Sequence, residues 1–190
     1  MKYDPDIHHR RSIRLRGYDY SQAGFYFVTL CTTGARGKPL VGAVREPPQH
    51  VTPIRFGEIA GGEMHLNEYG EIVALCWRWL PKRYKFVRLD EWVVMPNHFH
   101  GIISITEAEG DSRIAPTKGL GRLIGVFKTV STKRINEIRD TPGTAVWQRN
   151  YYERIIRNAA ELDKIREYVT TNPLCWADDP ENPDILPPSS

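Results

Sequence analysis

The sequence predicts an α+β fold of the ferredoxin-like, RNA-recognition-like kind, in which an antiparallel sheet carries helices packed on one face. Three observations lead there. Aromatic and β-branched runs of strand length alternate with stretches whose apolar residues recur at helical spacing. Their order reads strand, helix, two strands, helix, strand, helix, which is two split βαβ units. A chain of 190 residues with 41% hydrophobic content suits one core rather than two.

The first strand is Phe25-Tyr-Phe-Val-Thr-Leu-Cys31, bounded by Gly24 and a glycine turn from Gly34 to Gly37. Residues 34–62 are rich in Gly and Pro and read as a variable loop or small hairpin excursion. Asn67 is placed to cap a helix whose Ile72, Leu75, Cys76 and Trp79 fall on one face, with Pro81 as its stop. Two strands follow, Val87–Met95 and His98–Ile105, around a Pro96-Asn97 break. Residues 106–119 read as a mobile loop. A second helix then sets Leu120, Leu123, Phe127 and Val130 on one side and Lys118, Arg122, Thr129 and Lys133 on the other. The polar side faces solvent or a polyanion. Residues 145–156 supply another strand, and a last helix runs from about Glu161 until Pro173. The expected organisation is one domain over residues 1–177, followed by a tail over 178–190 with four prolines and little to bury.

Composition excludes several classes. No stretch approaches the roughly 20 apolar residues that would span a bilayer, and the first residues lack the apolar run of a secretion signal. Cys31, Cys76 and Cys175 are odd in number and widely spaced, which suits neither a disulfide framework nor a cysteine zinc site. A soluble protein of a reducing cytoplasm is expected. The net charge of +3 identifies no partner by itself, but its distribution is uneven. Basic residues gather at Arg10, Arg11, Arg14 and Arg16, at Lys128, Lys133 and Arg134, and at Arg149, Arg154 and Arg157, the last group interleaved with Tyr151 and Tyr152. Positive side chains beside aromatic faces suit phosphates and unpaired bases, although solvated faces also carry such runs.

The sharpest local feature is His98-Phe99-His100. Two residues apart on a strand, both imidazoles leave the same face and can reach one ion. By itself such a pair could equally be two hydrogen-bonded histidines at a strand edge. In the last helix Leu162, Ile165 and Val169 form an apolar stripe with Tyr168 at its border, and Asn172 stands one turn beyond Tyr168. A hydroxyl and a neutral oxygen could thus approach one ion together. The bland alternatives are a boundary tyrosine and a helix terminator before Pro173.

Three ordered segments carry a family resemblance: Val93-Val-Met-Pro-Asn-His-Phe-His-Gly-Ile-Ile103, Val146-Trp-Gln-Arg-Asn-Tyr-Tyr-Glu-Arg-Ile-Ile-Arg157 and Glu167-Tyr-Val-Thr-Thr-Asn-Pro173. Together they resemble the REP-associated tyrosine transposases, a branch of the single-tyrosine HUH transposases, and Arg11-Ser-Ile-Arg-Leu-Arg-Gly-Tyr-Asp-Tyr20 resembles that family's opening. The resemblance implies that His98 and His100 form the HUH pair around Phe99, that Asn172 is the third metal ligand, and that Tyr168 is the nucleophile. Two positions depart from the pattern: Asn172 stands where insertion-sequence relatives often carry glutamine, and Arg154 where this branch often carries histidine.

The implied activity is nicking and strand transfer on single-stranded DNA beside hairpins or palindromic repeats. It would use Mg²⁺ or Mn²⁺ and a 5′-phosphotyrosine intermediate, in a monomer or homodimer associated with the nucleoid. Arg14, Arg122, Lys128, Lys133, Arg149, Tyr151, Arg154 and Arg157 are the expected DNA contacts. A non-catalytic nucleic-acid-binding module on the same sheet is the main alternative, and a hydrolase in which water attacks is a second.

Overall fold

The computed structural model describes residues 22–34, 54–106, 119–179 and 182. Four strands form one antiparallel sheet: β1 (Gly24–Cys31), β4 (Val87–Val94), β5 (His98–Ile105) and β6 (Tyr152–Ile156), in the spatial order β4-β5-β1-β6. A separate hairpin pairs β2 (Gly57–Ala60) with β3 (Glu63–Leu66). Its turn residues Gly61 and Gly62 have φ of 61° and 80°, as the two-residue turn of a tight hairpin requires. This hairpin straddles the end of the expected excursion. Residues 35–53, the loop over 107–118 and Arg14 lie outside the described residues.

Helix α1 (Glu68–Arg83) starts where Asn67 Oδ1 accepts from the backbone N–H of Tyr69 and Gly70, both at 3.0 Å. Two of its sequence expectations are corrected. Pro81 lies inside the helix, because a proline in the last turn forfeits only its own N–H bond, and Tyr84 N–H still donates to Leu80 O at 2.8 Å. The buried face is Gly70, Val73, Ala74, Cys76, Trp77 and Leu80, leaving Leu75 51% exposed. The small residues at 70 and 74 let the helix sit close: a Cβ on Gly70 would stand 2.2 Å from Phe56 O.

Helix α2 (Leu120–Arg139) buries Leu120, Leu123, Ile124, Phe127 and Ile135 against α1 and the sheet, with Arg122, Thr129 and Lys133 exposed as expected. The strand expected over 145–156 is realised only in its last five residues. Upstream, Gln148 N–H donates to Cys31 O at 2.9 Å and Trp147 makes a single bridge to Thr32.

Helix α3 (Ala159–Thr171) begins slightly earlier than the expected Glu161, at an Asn158 cap whose Oδ1 accepts from Glu161 N–H at 2.9 Å. Pro173 ends the α-helix without ending the winding, since a 3-10 helix continues over Asn172–Asp178. The boundary expected at Asp178 therefore falls inside ordered backbone, and Asn182 beyond it is buried.

The fold class is the expected one, with one change of layer. Alternation along β5 sends Phe99, Ile103 and Ile105 into the main core beneath α1 and α2. Ile102 points the other way, into a smaller cluster with Phe27, Ile156 and Val169, flanked by Leu162 and Ile165. So α1 and α2 share one face and α3 covers the other, because its stripe of Leu162, Ile165 and Val169 needs an apolar surface and β1, β5 and β6 expose one there. A β-bulge between Leu89 and Trp92 helps to seat it. The extra residue switches the alternation of β4, and Asp90 accepts from Arg166 Nε at 2.8 Å and Nη2 at 2.7 Å. That guanidinium, with a second bond to Asp163, holds the Asp90 carboxyl below its ordinary range.

Gly101 lies directly behind the histidine pair on the core side. A Cβ there would stand 2.8 Å from both Trp77 Cζ2 and Phe99 Cε1. Gly101→Ala is expected to destabilise the protein by about 1–3 kcal/mol through overpacking, measured by denaturant titration. An unchanged midpoint would show that Trp77 can move aside.

Candidate active site

The cleft between α3 and the sheet gathers the chemistry. Phe27, Thr29, Cys31, His98, His100, Tyr152, Arg154, Tyr168 and Asp179 are among the residues that line its roughly 540 Å³. Within it His98 and His100 leave the same face of β5, their ring centroids 4.6 Å apart, and are 1% and 4% exposed. Phe99 between them stacks into the core, 4.7 Å from the Trp77 ring, and so locks the strand's orientation. Tyr168 stands opposite, with its hydroxyl 3.3 Å from His100 Nε2. Asn172 has helical backbone angles of −55° and −41°, which keep it one turn beyond Tyr168 on the same side. The two histidines, Tyr168 and Asn172 are therefore brought together from two elements far apart in the chain.

Each imidazole is oriented from behind. His98 Nδ1–H donates to Asn97 Oδ1 at 2.9 Å, leaving the lone pair on Nε2. His100 Nδ1 lies 2.9 Å from Thr29 Oγ1, and with the Tyr168 O–H donating to Nε2, the Nδ1–H donates to Thr29. Burial keeps both rings neutral: His98 is pushed down to about 4 and His100 well below the ordinary histidine value, with the neighbouring His98 adding to the effect on His100. Burial also raises the Tyr168 phenol, the negative charge of Asp179 raises it further, and a hydrogen bond with Asn172 opposes them.

The residues fit a divalent ion. His98 Nε2 and Asn172 Oδ1 are buried without a partner at sound hydrogen-bond geometry, and the Asn172 side chain lies beside both His98 and Tyr168, which leaves two lone pairs whose desolvation a cation would offset. A secured Nδ1–H with a free Nε2, as on His98, is also what imidazole ligands ordinarily show. Among the described residues, no group of three His, Cys, Asp or Glu side chains could hold a metal.

The neutral histidines set a pH dependence for the metal-free protein. An unfolded histidine takes up a proton near 6.5, whereas His98 resists until about 4. The folded state thus binds fewer protons in that window, and stability falls as pH drops from about 6.5 toward 4, by about 3 kcal/mol from this residue. Chemical denaturation at several pH values checks it, and a loss unchanged in His98→Ala would assign the effect elsewhere.

The expected cationic contacts divide. Arg154 reaches the cleft, where Nη2 and Nε lie 2.7 Å from Glu161 Oε1. Arg157 is exposed at the start of α3, its backbone N–H donating to Glu161 Oε2. Arg122 is exposed on α2. Lys133 and Arg149 line a second cleft of about 860 Å³ between α2 and residues 140–149. Lys128 lines it too, but its Nζ donates to the carbonyls of Gln148, Arg149 and Asn150 and lies 5.8 Å from the Tyr151 ring, and burial lowers it to about 8. Its charge thereby braces the 148–151 segment. Sequence reasoning missed Thr29, Asn97 and Asp179. Asn97 could have been found beside His98, because a buried metal-ligating histidine needs an acceptor for its other nitrogen.

Comparison with known proteins agrees with this geometry. A family described as "Transposase IS200 like" matches residues 78–172, a span that includes both histidines, Tyr168 and Asn172. A Haemophilus influenzae (strain Rd) protein of uncharacterised function is 39% identical over 194 residues, covering 94% of this chain and 96% of that one. A solved structure of a REP-associated tyrosine transposase bound to a REP hairpin is similar in fold, with a TM-score of 0.54 at 17% identity, over 86% of this chain and 73% of the other. No helix among the described residues is long and apolar enough to cross a membrane.

Proposed function

The chain belongs to the IS200-like transposase family, and from that premise we propose that it is a single-tyrosine HUH endonuclease and strand transferase of the REP-associated branch, metal-dependent and acting on single-stranded DNA beside hairpins. The observation that carries this reading is the convergence of two unpartnered buried atoms, His98 Nε2 and Asn172 Oδ1, on the place where Tyr168 Oη approaches His100 Nε2 at 3.3 Å. Similarity of fold to a hairpin-bound transposase supports the substrate class.

His98, His100 and Asn172 would hold Mg²⁺ or Mn²⁺. The bound ion would polarise the scissile phosphate and stabilise the charge that develops on it. Tyr168 Oη attacks phosphorus, the P–O3′ bond breaks, and the upstream strand leaves with a 3′-hydroxyl while the downstream strand stays on the tyrosine through its 5′-phosphate. One phosphodiester is exchanged for one phosphotyrosine ester, so a 3′-hydroxyl can reverse the step and rejoin strands without ATP. The chain's own surroundings hold the phenol protonated. Loss of its proton therefore belongs to the loaded complex and not to the free protein. Tyr152 and Arg154, both on β6 and both lining the cleft, offer an aromatic ring and a cation to bases and phosphates entering it.

The test is incubation of labelled, hairpin-flanked single strands with the protein and Mn²⁺, followed by denaturing electrophoresis. A protein-linked strand is expected. Binding without cleavage would favour a non-catalytic module, and free cleaved strands without an adduct would favour attack by water.

Arg122, Lys133, Arg149 and Arg157 are assigned to phosphates, not to base edges. Neutralising any two is expected to weaken binding to all sequences alike and to lower the salt slope by about 0.7 for each charge removed. Titrations across ionic strength check this, and a loss confined to one sequence would contradict it.

A further inference from the structure

The donors in the cleft are all neutral, whereas Mg²⁺ and Mn²⁺ are hard ions that favour anionic oxygen and keep several waters when bound. Of the two carboxylates that line the same cleft, Glu161 is paired with Arg154, whereas Asp179 lines it with His98, His100 and Tyr168. It arrives there because winding continues past Pro173. The 3-10 helix carries Trp176 to 6.0 Å from the His98 ring. The chain is then tied off on both sides of Asp179: its N–H donates to Trp176 O at 3.2 Å, and its carbonyl accepts from Asn182 N–H at 2.8 Å. Asn182 Nδ2 donates to the same Trp176 carbonyl at 3.0 Å. Asp179 is half-buried and lines the cleft with both His98 and Tyr168, so its carboxylate favours a cation held there. Yet no third carboxylate, histidine or cysteine stands close enough to the histidine pair to complete a metal group among the described residues. Asp179 is thus near the unpartnered His98 Nε2 and Asn172 Oδ1 without joining them.

We propose that Asp179 is an outer-shell carboxylate of the metal site, accepting hydrogen bonds from water that the ion retains. The proposal rests on the metal-dependent reading above and adds to it the one anionic group of the cation's surroundings that sequence motifs did not mark. It divides labour along a continuous stretch: Tyr168 attacks, Asn172 ligates and Asp179 holds the ion's hydration. It also gives the site a preference, because ions that keep their waters benefit from Asp179 more than Zn²⁺, which sheds them and is satisfied by imidazole.

The experiment is titration of the full chain with Mn²⁺ alone, reading free ion by electron paramagnetic resonance and inner-sphere waters by water-proton relaxation. Asp179→Ala is expected to weaken Mn²⁺ roughly 10- to 100-fold, as loss of an outer-shell partner does, with the water count unchanged and Zn²⁺ affected far less. Asp179→Asn serves if the alanine variant fails to fold, which thermal denaturation without metal will show. Unchanged Mn²⁺ affinity would overturn the proposal. So would a loss that vanishes at high ionic strength, which marks a distant field, or a gained inner-sphere water, which marks a direct ligand. In each of those cases His98→Ala with His100→Ala still abolishes binding, and the metal site stands. If that double variant binds Mn²⁺ as the wild type does, the site itself is refuted and the role of Asp179 with it.

Discussion

Tyr168→Phe is expected to abolish the covalent DNA adduct while leaving fold and DNA binding nearly intact. The substitution removes one hydroxyl and keeps the ring, whose centroid lies 6.0 Å from that of Phe27 and 5.2 Å from that of His100. The side chain is 46% exposed and its hydroxyl lies 3.3 Å from His100 Nε2, a long contact, so the stability change is about 1 kcal/mol or less. Nothing nearby replaces the nucleophile. Tyr152 is in the cleft but belongs to β6, with its ring near Phe27, and the Tyr151 ring lies 5.8 Å from Lys128 Nζ on the other side. Denaturing electrophoresis of labelled strands checks the adduct, and denaturant titration checks the fold. An adduct that survives in Tyr168→Phe but disappears in a Tyr151 or Tyr152 variant would move the chemistry to β6.

The second large effect is expected from His98→Ala combined with His100→Ala. Metal-dependent cleavage and Mn²⁺ binding should both disappear, because an amide oxygen alone does not hold a hydrated divalent ion. Stability should respond oppositely at the two ends of the pH scale. Near neutrality the variant loses packing against Phe27 and the hydrogen bonds that the imidazoles donate to Asn97 and Thr29, and is less stable by a few kcal/mol. Toward pH 4 it recovers ground, since two groups that must stay uncharged to remain buried are gone. Calorimetry with and without Mn²⁺ at both pH values separates these terms. Retained cleavage with full metal dependence would place the ion elsewhere.

How much of this was legible beforehand depends on whether a feature is local. The strands β1, β4 and β5 and the Asn67 cap follow from neighbouring residues and were read correctly. The buried face of α1 was not, because Ile72 to Leu80 is apolar nearly all round and offers two overlapping stripes. The choice is made by close approach at Gly70 and by Trp77 settling behind Gly101, which are tertiary facts. The layer occupied by α3 was missed for a similar reason. Its stripe was evident, but which sheet face received it depended on the alternation of β1 and β5. The histidine pair, Tyr168 and Asn172 were visible as types at telling intervals. Thr29 was not, since nothing in the sequence states that β1 pairs with β5 in a register setting Thr29 opposite His100. Asp179 falls in the span expected as a tail, whose four prolines and shortage of residues to bury give no sign that winding continues past Pro173.

The two-sidedness of β5 bears on how such a protein can change over generations. Even-numbered positions at its start hold the histidines to which the chemistry is proposed to belong, and odd-numbered ones, Phe99 and Gly101, are anchored in the interior. Loss of chemistry and loss of folding are therefore separable by a single step along the strand. A lineage that substitutes position 98 or 100 keeps a folded protein with its cationic surfaces, available for recruitment as a DNA-binding protein that no longer cuts. One that substitutes position 99 or 101 forfeits both together. Deleting any one residue between them would turn the interior set outward and the reactive set inward, so the strand tolerates exchange of side chains far better than a change of length.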